Sequence, residues 1–309
     1  MWASPAPFVY DWSRWGGTLI TNVVPRAKRI RANLEESPQE LAARLPGDAR
    51  MMLVHLDISD NTPFITDPAE FVRVLAERGV RVLNGQVQDI RKRAVQACCA
   101  SFGLPSVTPA TTGEPDELLI VKTDLNSAGS REQRLTAEQR ARFNLPAHGS
   151  RLKGREGYYV ARRGDLGAEI WNDRDLAVER FMQNPEGRLF RVYTMLNSVV
   201  ISEGYVKTQI KRIGDSDRRY NHWLRRQGEV IQLCPGSNSK LPAALLNTMG
   251  IFINRFHLDF GALDVVESGD GNFYVIDVNK TPFWDDEVQQ GLLEHLRRGL
   301  QNDAQPAMG

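Results

Sequence analysis

The chain has 309 residues, of which 41% are hydrophobic and 25% are charged. A chain of this length can bury about three quarters of its unfolded surface and can form two or three lobes. Its 39 Lys and Arg residues against 38 Asp and Glu residues leave a formal net charge of +1. No global field therefore directs the molecule to nucleic acid or to a membrane surface, and any anion site must be a local cluster of cations.

The three cysteines, Cys98, Cys99 and Cys234, have neither an even count nor the spacing of metal ligands. This argues against a disulfide framework or a zinc site and favours a reducing compartment. Residues 1–17 lack the apolar core of a signal peptide, and no apolar run approaches the roughly eighteen residues of a membrane span. We expect a soluble, cytoplasmic protein with no nucleic-acid partner and no membrane partner.

The first part of the chain alternates predicted strands with predicted helices. Strands are predicted at 19–24, 51–56 and 80–84, and helices at 38–45 and 67–77. This alternation predicts a small α/β lobe with parallel strands.

The rest of the chain is predicted to continue with helices and a larger number of strands. A helix at 91–102 ends at Gly103 and Pro105, and a strand at 118–122 leads into the small polar loop 126–130. The polar and basic segment 131–168 has no readable pattern. Strands are predicted at 175–182, 189–196 and 199–210, helices at 242–257 and 285–300, and a loose tail at 301–309.

Two predicted strands near the C-terminus carry oxygen-bearing side chains and are joined by a short polar turn. Asp277 and Asn279 share a strand face because they are two residues apart, and Asp264 can meet them across the hairpin. Such hard oxygen ligands suit Mg²⁺, which binds one or two carboxylates together with phosphate oxygens. The alternative is a hairpin with ordinary polar residues on its solvent face.

Two lysines are candidates for phosphate binding. Lys122 ends a predicted strand just before the 126–130 loop, and Lys92 opens a predicted helix, whose N-terminus also favours anions. One Lys–phosphate contact at about 4 Å contributes up to ~4 kcal/mol at an effective dielectric constant near 20. A single lysine at a strand end or on the surface is usually just solvated, but the order of these two before the acidic hairpin strengthens the interpretation.

Together these residues resemble the ATP-grasp superfamily, in particular its glutathione-synthetase and glutamate-ligase branch. The resemblance runs from about Asn84 to Pro282 and includes the segments around Lys92, Lys122 and Asp264. It implies an α/β fold in which an N-terminal lobe (1–90) precedes a middle lobe (91–177) and a C-terminal lobe (178–300). The last two lobes would clamp ATP between them.

The resemblance also implies roles for individual residues. Phosphates would contact Lys92 and Lys122 together with Ser127 and Gly129 of the loop, and adenine would contact Glu179, Phe181 and Met182. The metal ligands would be Asp264, Asp277 and Asn279, with Asp277 bridging two Mg²⁺ ions and Mn²⁺ as the alternative ion. Arg191 would face the transferred phosphoryl group, and Arg219 and Asn221 match a second Arg-x-Asn element.

The chain departs from the family pattern at several positions. Its phosphate loop has one glycine, Gly129, where relatives commonly have two or three. Arg91 stands where a carboxylate usually precedes the first lysine, and Asp277 stands where many relatives carry the longer Glu. The ribose-binding acid is not identified, since Glu186 has an imperfect offset.

The activity implied by the resemblance is that of an ADP-forming ligase. Such an enzyme phosphorylates a small-molecule carboxylate and joins the acyl phosphate to an amine, here an amino acid or short peptide by analogy. A homodimer is compatible with the resembled family. Two alternatives stay open: a small-molecule kinase with the same clamp, and a protein that binds ATP without turnover.

A basic stretch at 207–226 contains interleaved aromatic residues, a pattern that can bind single-stranded nucleic acid. Asp215, Asp217 and the near-neutral overall charge count against that function. A face for an anionic substrate, or a solvated hairpin, fits this stretch better.

Overall fold

The computed structural model describes residues 6–12, 16–145, 158–208, 216, 218–235, 240–283 and 290–303. Within these ranges the protein is a mixed α/β structure with thirteen strands in three sheets and eight α-helices. None of the helices in these ranges has the length and apolar character needed to cross a membrane.

The first sheet has four parallel strands in the order β2-β1-β3-β4. These strands are β1 (Phe8–Trp12), β2 (Lys28–Arg31), β3 (Met51–Leu56) and β4 (Arg81–Leu83), and the helices among them are α1 (Leu19–Val23), α2 (Pro38–Arg44) and α3 (Pro68–Glu77). The side chains of Ser37 and Asp67 cap α2 and α3, which explains why both helices begin where the sequence predicts. The predicted parallel α/β arrangement is confirmed.

The strand predicted at 19–24 is wrong, because this segment forms the short helix α1. Leu19, Ile20 and Val23 are its buried residues, and their spacing is that of one helix face. Strands β1 and β2 are not among the predicted strands, and β2 lies between the segments predicted at 19–24 and 38–45.

The second sheet has three antiparallel strands in the order β6-β5-β7. The elements of this region are α4 (Lys92–Ser101), β5 (Leu118–Thr123), α5 (Ala137–Arg142), β6 (Tyr158–Arg162), α6 (Ala168–Trp171) and β7 (Leu176–Arg180). The predicted helix at 91–102 and the strands at 118–122 and 175–182 are confirmed. The unassigned segment 131–168 contributes α5 and β6, while residues 146–157 lie outside the described ranges.

The third sheet has six antiparallel strands in the order β11-β10-β9-β8-β12-β13. Its region contains β8 (Arg188–Met195), β9 (Ser198–Tyr205), β10 (Arg218–Gln227), β11 (Val230–Leu233), α7 (Ala243–Arg255), β12 (Phe260–Glu267), β13 (Phe273–Asn279) and α8 (Gln290–Asp303). The predicted strand at 199–210 ends at Tyr205, and the predicted helix at 242–257 corresponds to α7. The predicted helix at 285–300 corresponds to α8 from Gln290 onward, and residues 284–289 are not among those described.

The two faces of the six-stranded sheet have different environments. On one face, Phe190 and Val265 pack with Val95 of α4 and Phe252 of α7. On the other face, apolar residues at one end of the strands pack against Leu292 and Leu296 of α8 and against α1. The remainder of that second face carries the polar residues described next.

Candidate active site

The hairpin formed by β12 and β13 brings the predicted metal ligands together. Asp264 and Asp277 are direct register partners, and Asn279 is opposite Ala262, two positions along the same face. The register then shifts, so that Val265 pairs with Val275. This bulge beside the two carboxylates re-aims the strand locally.

The close approach of the strand before Asp264 requires a glycine. A Cβ atom at Gly261 would lie 2.8 Å from the backbone oxygen of Asn279. A larger residue at this position would therefore push β12 away from the strand that carries Asp277 and Asn279.

A row of polar residues crosses the sheet at the level of the two carboxylates. Asp264 pairs in register with Arg191, which pairs with Ser202, and Ser202 pairs with Asn221. Together with Asp277 the row spans five strands. Arg191 donates to the two oxygens of Asp264 at 3.1 and 3.3 Å, and the Ser202 hydroxyl donates to Asn221 Oδ1 at 2.6 Å.

The predicted residue Arg219 lies on β10, two positions from Asn221 and opposite Gly204. Its side chain is outside the part of the chain that the structure describes. Its role therefore stays a prediction.

The charges in the row act on one another. Burial raises the pKa of the Asp264 carboxyl, the Arg191 guanidinium opposes this shift, and the neighbouring Asp277 carboxylate reinforces it. Burial alone would lower the pKa of Arg191, but Asp264, Tyr193 and Asp277 raise it above its ordinary value. The row thus contains two adjacent carboxylates and one arginine, which lies next to Asp264. This excess of negative charge favours an additional cation.

Lys92 joins this row to the loop at 126–130. Its side chain is buried, and Nζ donates to both Asn126 Oδ1 and Asp277 Oδ1. The N-terminus of α4 itself is already used, since Asp124 accepts from the backbone N–H groups of Lys92 and Arg93. The Lys92 side chain, and not the helix end, is therefore what can meet a phosphate.

Lys122 lies on β5 and forms an ion pair with Glu179 of β7, with 2.6 Å between Nζ and Oε2. Glu179 is only 3% exposed, so its carboxylate depends on this lysine. The backbone N–H of Phe181 donates to Leu118 O at 2.9 Å. This donor is therefore already used, and the carbonyl of Phe181 is the backbone group that could contact a nucleotide base.

An apolar cluster lies next to Met182, the other predicted adenine contact. Met182 and Ile276 pack against the buried side chains of Val107, Val266 and Tyr274. Ile276 and Tyr274 come from the strand that carries Asp277, so apolar and charged surfaces adjoin along β13. This is the combination that a nucleotide base and its phosphates require.

The loop predicted to cover phosphates has an unusual backbone. Ser127, Ala128 and Gly129 have φ angles of 49°, 54° and 71°, all in the left-handed region. Non-glycine residues rarely adopt this conformation, which costs about 1–2 kcal/mol per residue. Strained backbone persists where the surroundings enforce it, and it clusters at ligand clamps.

A cleft beside the carboxylates contains residues that the sequence analysis did not identify. Besides the predicted ligand Asn279, its lining includes Asp57, Ser59, Asn126, Glu132 and Phe283. Asp57 and Ser59 directly follow β3, and the carboxyl ends of parallel strands are common ligand sites. The position of Asp57 and Ser59 after β3 is thus a sequence signal that could have identified them. No such signal indicates the burial of Glu132, because Glu132 lies in the segment 131–168, which has no readable pattern.

The donor set at the acidic hairpin fits a hard divalent ion. In the described ranges no three His, Cys, Asp or Glu side chains converge as potential ligands, so an all-protein cage is not formed there. Asp264, Asp277 and Asn279 instead offer two carboxylates and one amide. This set suits Mg²⁺, which takes its remaining ligands from water and phosphate.

Comparison with known proteins places the fold. No protein-family model matches the sequence, and no curated protein does. Among solved structures, the ATP-grasp ligase PsnB, complexed with a phosphomimetic variant of its minimal precursor, Mg and ADP, superposes with a TM-score of 0.50 and 12% identity. The match covers 96% of this chain and 99% of that one.

Two other solved structures are similar at lower scores. The L-amino acid ligase from Bacillus licheniformis has 11% identity and a TM-score of 0.46, and the match covers 96% of this chain and 73% of that one. The macrocyclase MdnB from Microcystis aeruginosa MRC has 13% identity and a TM-score of 0.39, with 96% and 98% covered. At these identities the likeness concerns the fold: the chain has the ATP-grasp fold.

Proposed function

We propose that this protein is an ATP- and Mg²⁺-dependent, ADP-forming ligase that joins a small carboxylate to an amine through an acyl phosphate. Amino acids or short peptides are the proposed substrates, and the cytoplasm is the proposed compartment. ATP would lie between the three-stranded and six-stranded sheets, that is, between lobes bounded at about 91–177 and 178–300.

The observation that carries the proposal is the contact of Lys92 with both Asp277 and Asn126. One ammonium group lies between the candidate metal ligands and the strained loop. A triphosphate entering here would compete with the carboxylates for Lys92 and Arg191. A divalent ion would in turn compete with these cations for Asp264 and Asp277. Phosphate oxygens would thus take the place of carboxylate oxygens at the two cations, and the metal ion would take the place of the two cations at the carboxylates.

Binding of the nucleotide follows from the positions of the remaining residues. The apolar cluster around Met182 would hold the base, with the Phe181 carbonyl and Glu179 near its polar edge. Lys92 and Lys122 would hold phosphates, and the backbone N–H groups of Ser127, Ala128 and Gly129 would be additional donors to them.

The metal site would be formed by Asp264, Asp277 and Asn279. When bound, Mg²⁺ supplies charge neutralisation to the transferring phosphoryl group. The Thr281 N–H donates to Asn279 Oδ1 at 2.9 Å and so restricts the orientation of this side chain. Arg191 would face the transferring group from the neighbouring strand.

ATP is needed for amide formation because a free carboxylate has a poor leaving group. An amine cannot displace oxide, whereas phosphate leaves readily from an acyl phosphate. The residues of the site need only align the carboxylate oxygen with the terminal phosphorus of ATP and neutralise charge. No covalent nucleophile of the protein is required.

The test is an assay of ADP and inorganic phosphate with a panel of L-amino acids and dipeptides, supplied singly and in pairs with ATP and Mg²⁺. We expect phosphate release that depends on a carboxylate and an amine together, with the amide product detected by mass. Phosphate retained on a stable product would identify a kinase instead. Tight ATP binding without ADP formation across the panel would identify a nucleotide-binding protein.

A further inference from the structure

We propose that Glu132 binds the ammonium group of the amine substrate and takes a proton from it before the amine attacks. This inference rests on the proposed ligase function. Glu132 opens the short 3₁₀ turn Glu132–Arg134, which is separated from the candidate phosphate loop by Arg131 alone. It lines the same cleft as Asp277 and Asn279, so it lies beside the place where an acyl phosphate would form.

The carboxylate of Glu132 is buried with only one of its oxygens satisfied. The residue is 1% exposed, and Oε1 accepts from the Ser59 backbone N–H at 2.7 Å. Oε2 is equally inaccessible and has no hydrogen-bond partner among the residues that the structure describes. An unpaired buried carboxylate oxygen is costly, and the cost is removed when a cation binds.

The other acidic residues of the cleft already have partners. Asp57 pairs with Arg131 at 2.6 Å and accepts from the Thr281 hydroxyl at 3.1 Å. Asp277 pairs with Lys92. Glu132 is the one of the three whose carboxylate has a buried oxygen with neither a hydrogen bond nor an ion pair among the described residues.

A purely structural role for that oxygen would require a protein cation beside it. The buried Lys280 ammonium lies within electrostatic range of Glu132. Its Nζ, however, donates to Asn61 Oδ1, and in the described part of the chain no ion pair joins it to Glu132. A substrate ammonium, a compact cation with three donors, would supply the partner that Oε2 lacks.

The chemistry of the second half-reaction needs such a group. A substrate ammonium must lose one proton before its nitrogen has a lone pair, and Glu132 Oε2 would accept that proton. The lone pair then forms the C–N bond to the acyl carbon, and the C–O bond to phosphate breaks with its electrons on the phosphate. The second nitrogen proton leaves with the phosphate, so ATP, carboxylate and ammonium give ADP, phosphate, amide and one proton.

The test compares two nucleophiles in a Glu132→Gln variant. Glutamine keeps an oxygen acceptor for the Ser59 N–H but removes the charge. Hydroxylamine is largely uncharged at neutral pH and traps an acyl phosphate as a hydroxamate without needing an ammonium site. With ATP and the carboxylate selected by the panel, we expect hydroxamate formation close to that of the wild type.

Ligation of the ammonium-bearing amine selected by the same panel should fall by about 100-fold or more in this variant, since positioned proton acceptors contribute about 10²–10⁴-fold. The KM for the amine should rise while the KM for ATP stays unchanged. Glu138→Gln, which makes the same charge change on the exposed face of α5, should leave both reactions unchanged.

Two results would overturn the role of Glu132. One is amine ligation at the wild-type rate in Glu132→Gln, and the other is loss of hydroxamate formation in parallel with ligation, which would mean that Glu132 acts before the amine. A different failure concerns the enzyme as a whole: if the wild-type protein forms no hydroxamate from any carboxylate, the proposed ligase function itself is wrong.

Discussion

Lys92 and Asp277 are 185 residues apart in the sequence and form a direct ion pair. Lys92 opens α4, and Asp277 lies near the end of β13 beside Asp264. The pair therefore links the element before the three-stranded sheet to the last strand of the six-stranded sheet. It also sets the central expectation, that phosphate and metal ion bind at a place where opposite protein charges already meet.

Removal of the Asp277 carboxylate should abolish turnover and preserve the fold. Even outer-shell partners of a metal contribute about 10- to 100-fold, so loss of a direct ligand should reduce ADP formation by more than about 100-fold. Asp277→Ala is compared with Asp116→Ala, whose side chain is 86% exposed at a distance from the cleft. Circular dichroism should be unchanged in both, and full activity in Asp277→Ala would refute its assignment.

Lys122 should contribute to stability as well as to nucleotide binding. Lys122→Met leaves the Glu179 carboxylate buried without its partner, which should cost about 3–5 kcal/mol in the free energy of unfolding. The double variant Lys122→Met with Glu179→Gln should regain most of this stability, because no buried charge is left unpaired. Urea unfolding measures the first effect, and ATP binding should stay weak in both variants. A double variant as unstable as the single one would contradict this account.

The left-handed loop should be a source of strain. Ala128→Gly should increase the free energy of unfolding by about 1 kcal/mol, because glycine adopts positive φ without a Cβ clash. The same change at the exposed position Ala97 in α4 should decrease it by about 1 kcal/mol, since glycine is unfavourable within a helix. A decrease in the free energy of unfolding for Ala128→Gly, as expected for Ala97→Gly, would show that the loop is not strained.

Glu203 should make stability depend on pH in the acid range. Burial would raise the pKa of Glu203, but hydrogen bonds from His222, Tyr205 and Arg188 lower it from 4.5 to about 2. The charged form thus stabilises the fold above the unfolded pKa of 4.5, and this contribution, roughly 3 kcal/mol, is lost as pH falls through 4.5 toward 2.

The measurement is urea unfolding of wild type and Glu203→Gln between pH 6 and pH 3. The difference in unfolding free energy should be largest at pH 6 and should shrink as the pH falls. Glu77→Gln serves as the control, because its side chain is 63% exposed. A difference that stays constant across this range would mean that Glu203 does not carry the shifted pKa.

Much of the fold could be predicted because its elements carry strong local signals. The capped helices α2 and α3 and the apolar strands β3, β8 and β13 are examples. The misassigned segment at 19–24 has only six residues, and so short an apolar run fits a helix turn as well as a strand. Strand β1 pairs with the distant strand β3, and β2 pairs with β1; no local pattern reveals either pairing.

The sequence indicated that some of the candidate residues lie close together, but not the arrangement of the whole row. The i and i+2 spacing of Asp277 and Asn279 placed them on one face, and the hairpin brought Asp264 opposite Asp277. The row through Arg191, Ser202 and Asn221 depends on the register of five strands, which tertiary packing sets. The burial of Glu132 likewise arises from contact with Ser59, 73 residues away, and could not be read from its neighbours in sequence.

The most direct test of the central claim follows an oxygen atom. The protein is incubated with ATP, Mg²⁺, hydroxylamine and a panel of carboxylates labelled with ¹⁸O. An acyl phosphate formed at the Lys92–Asp277 site requires that one labelled oxygen moves from the carboxylate to inorganic phosphate while a hydroxamate accumulates. Bound ATP with no labelled phosphate and no hydroxamate from any carboxylate, or label and phosphate retained together on one product, would contradict the account.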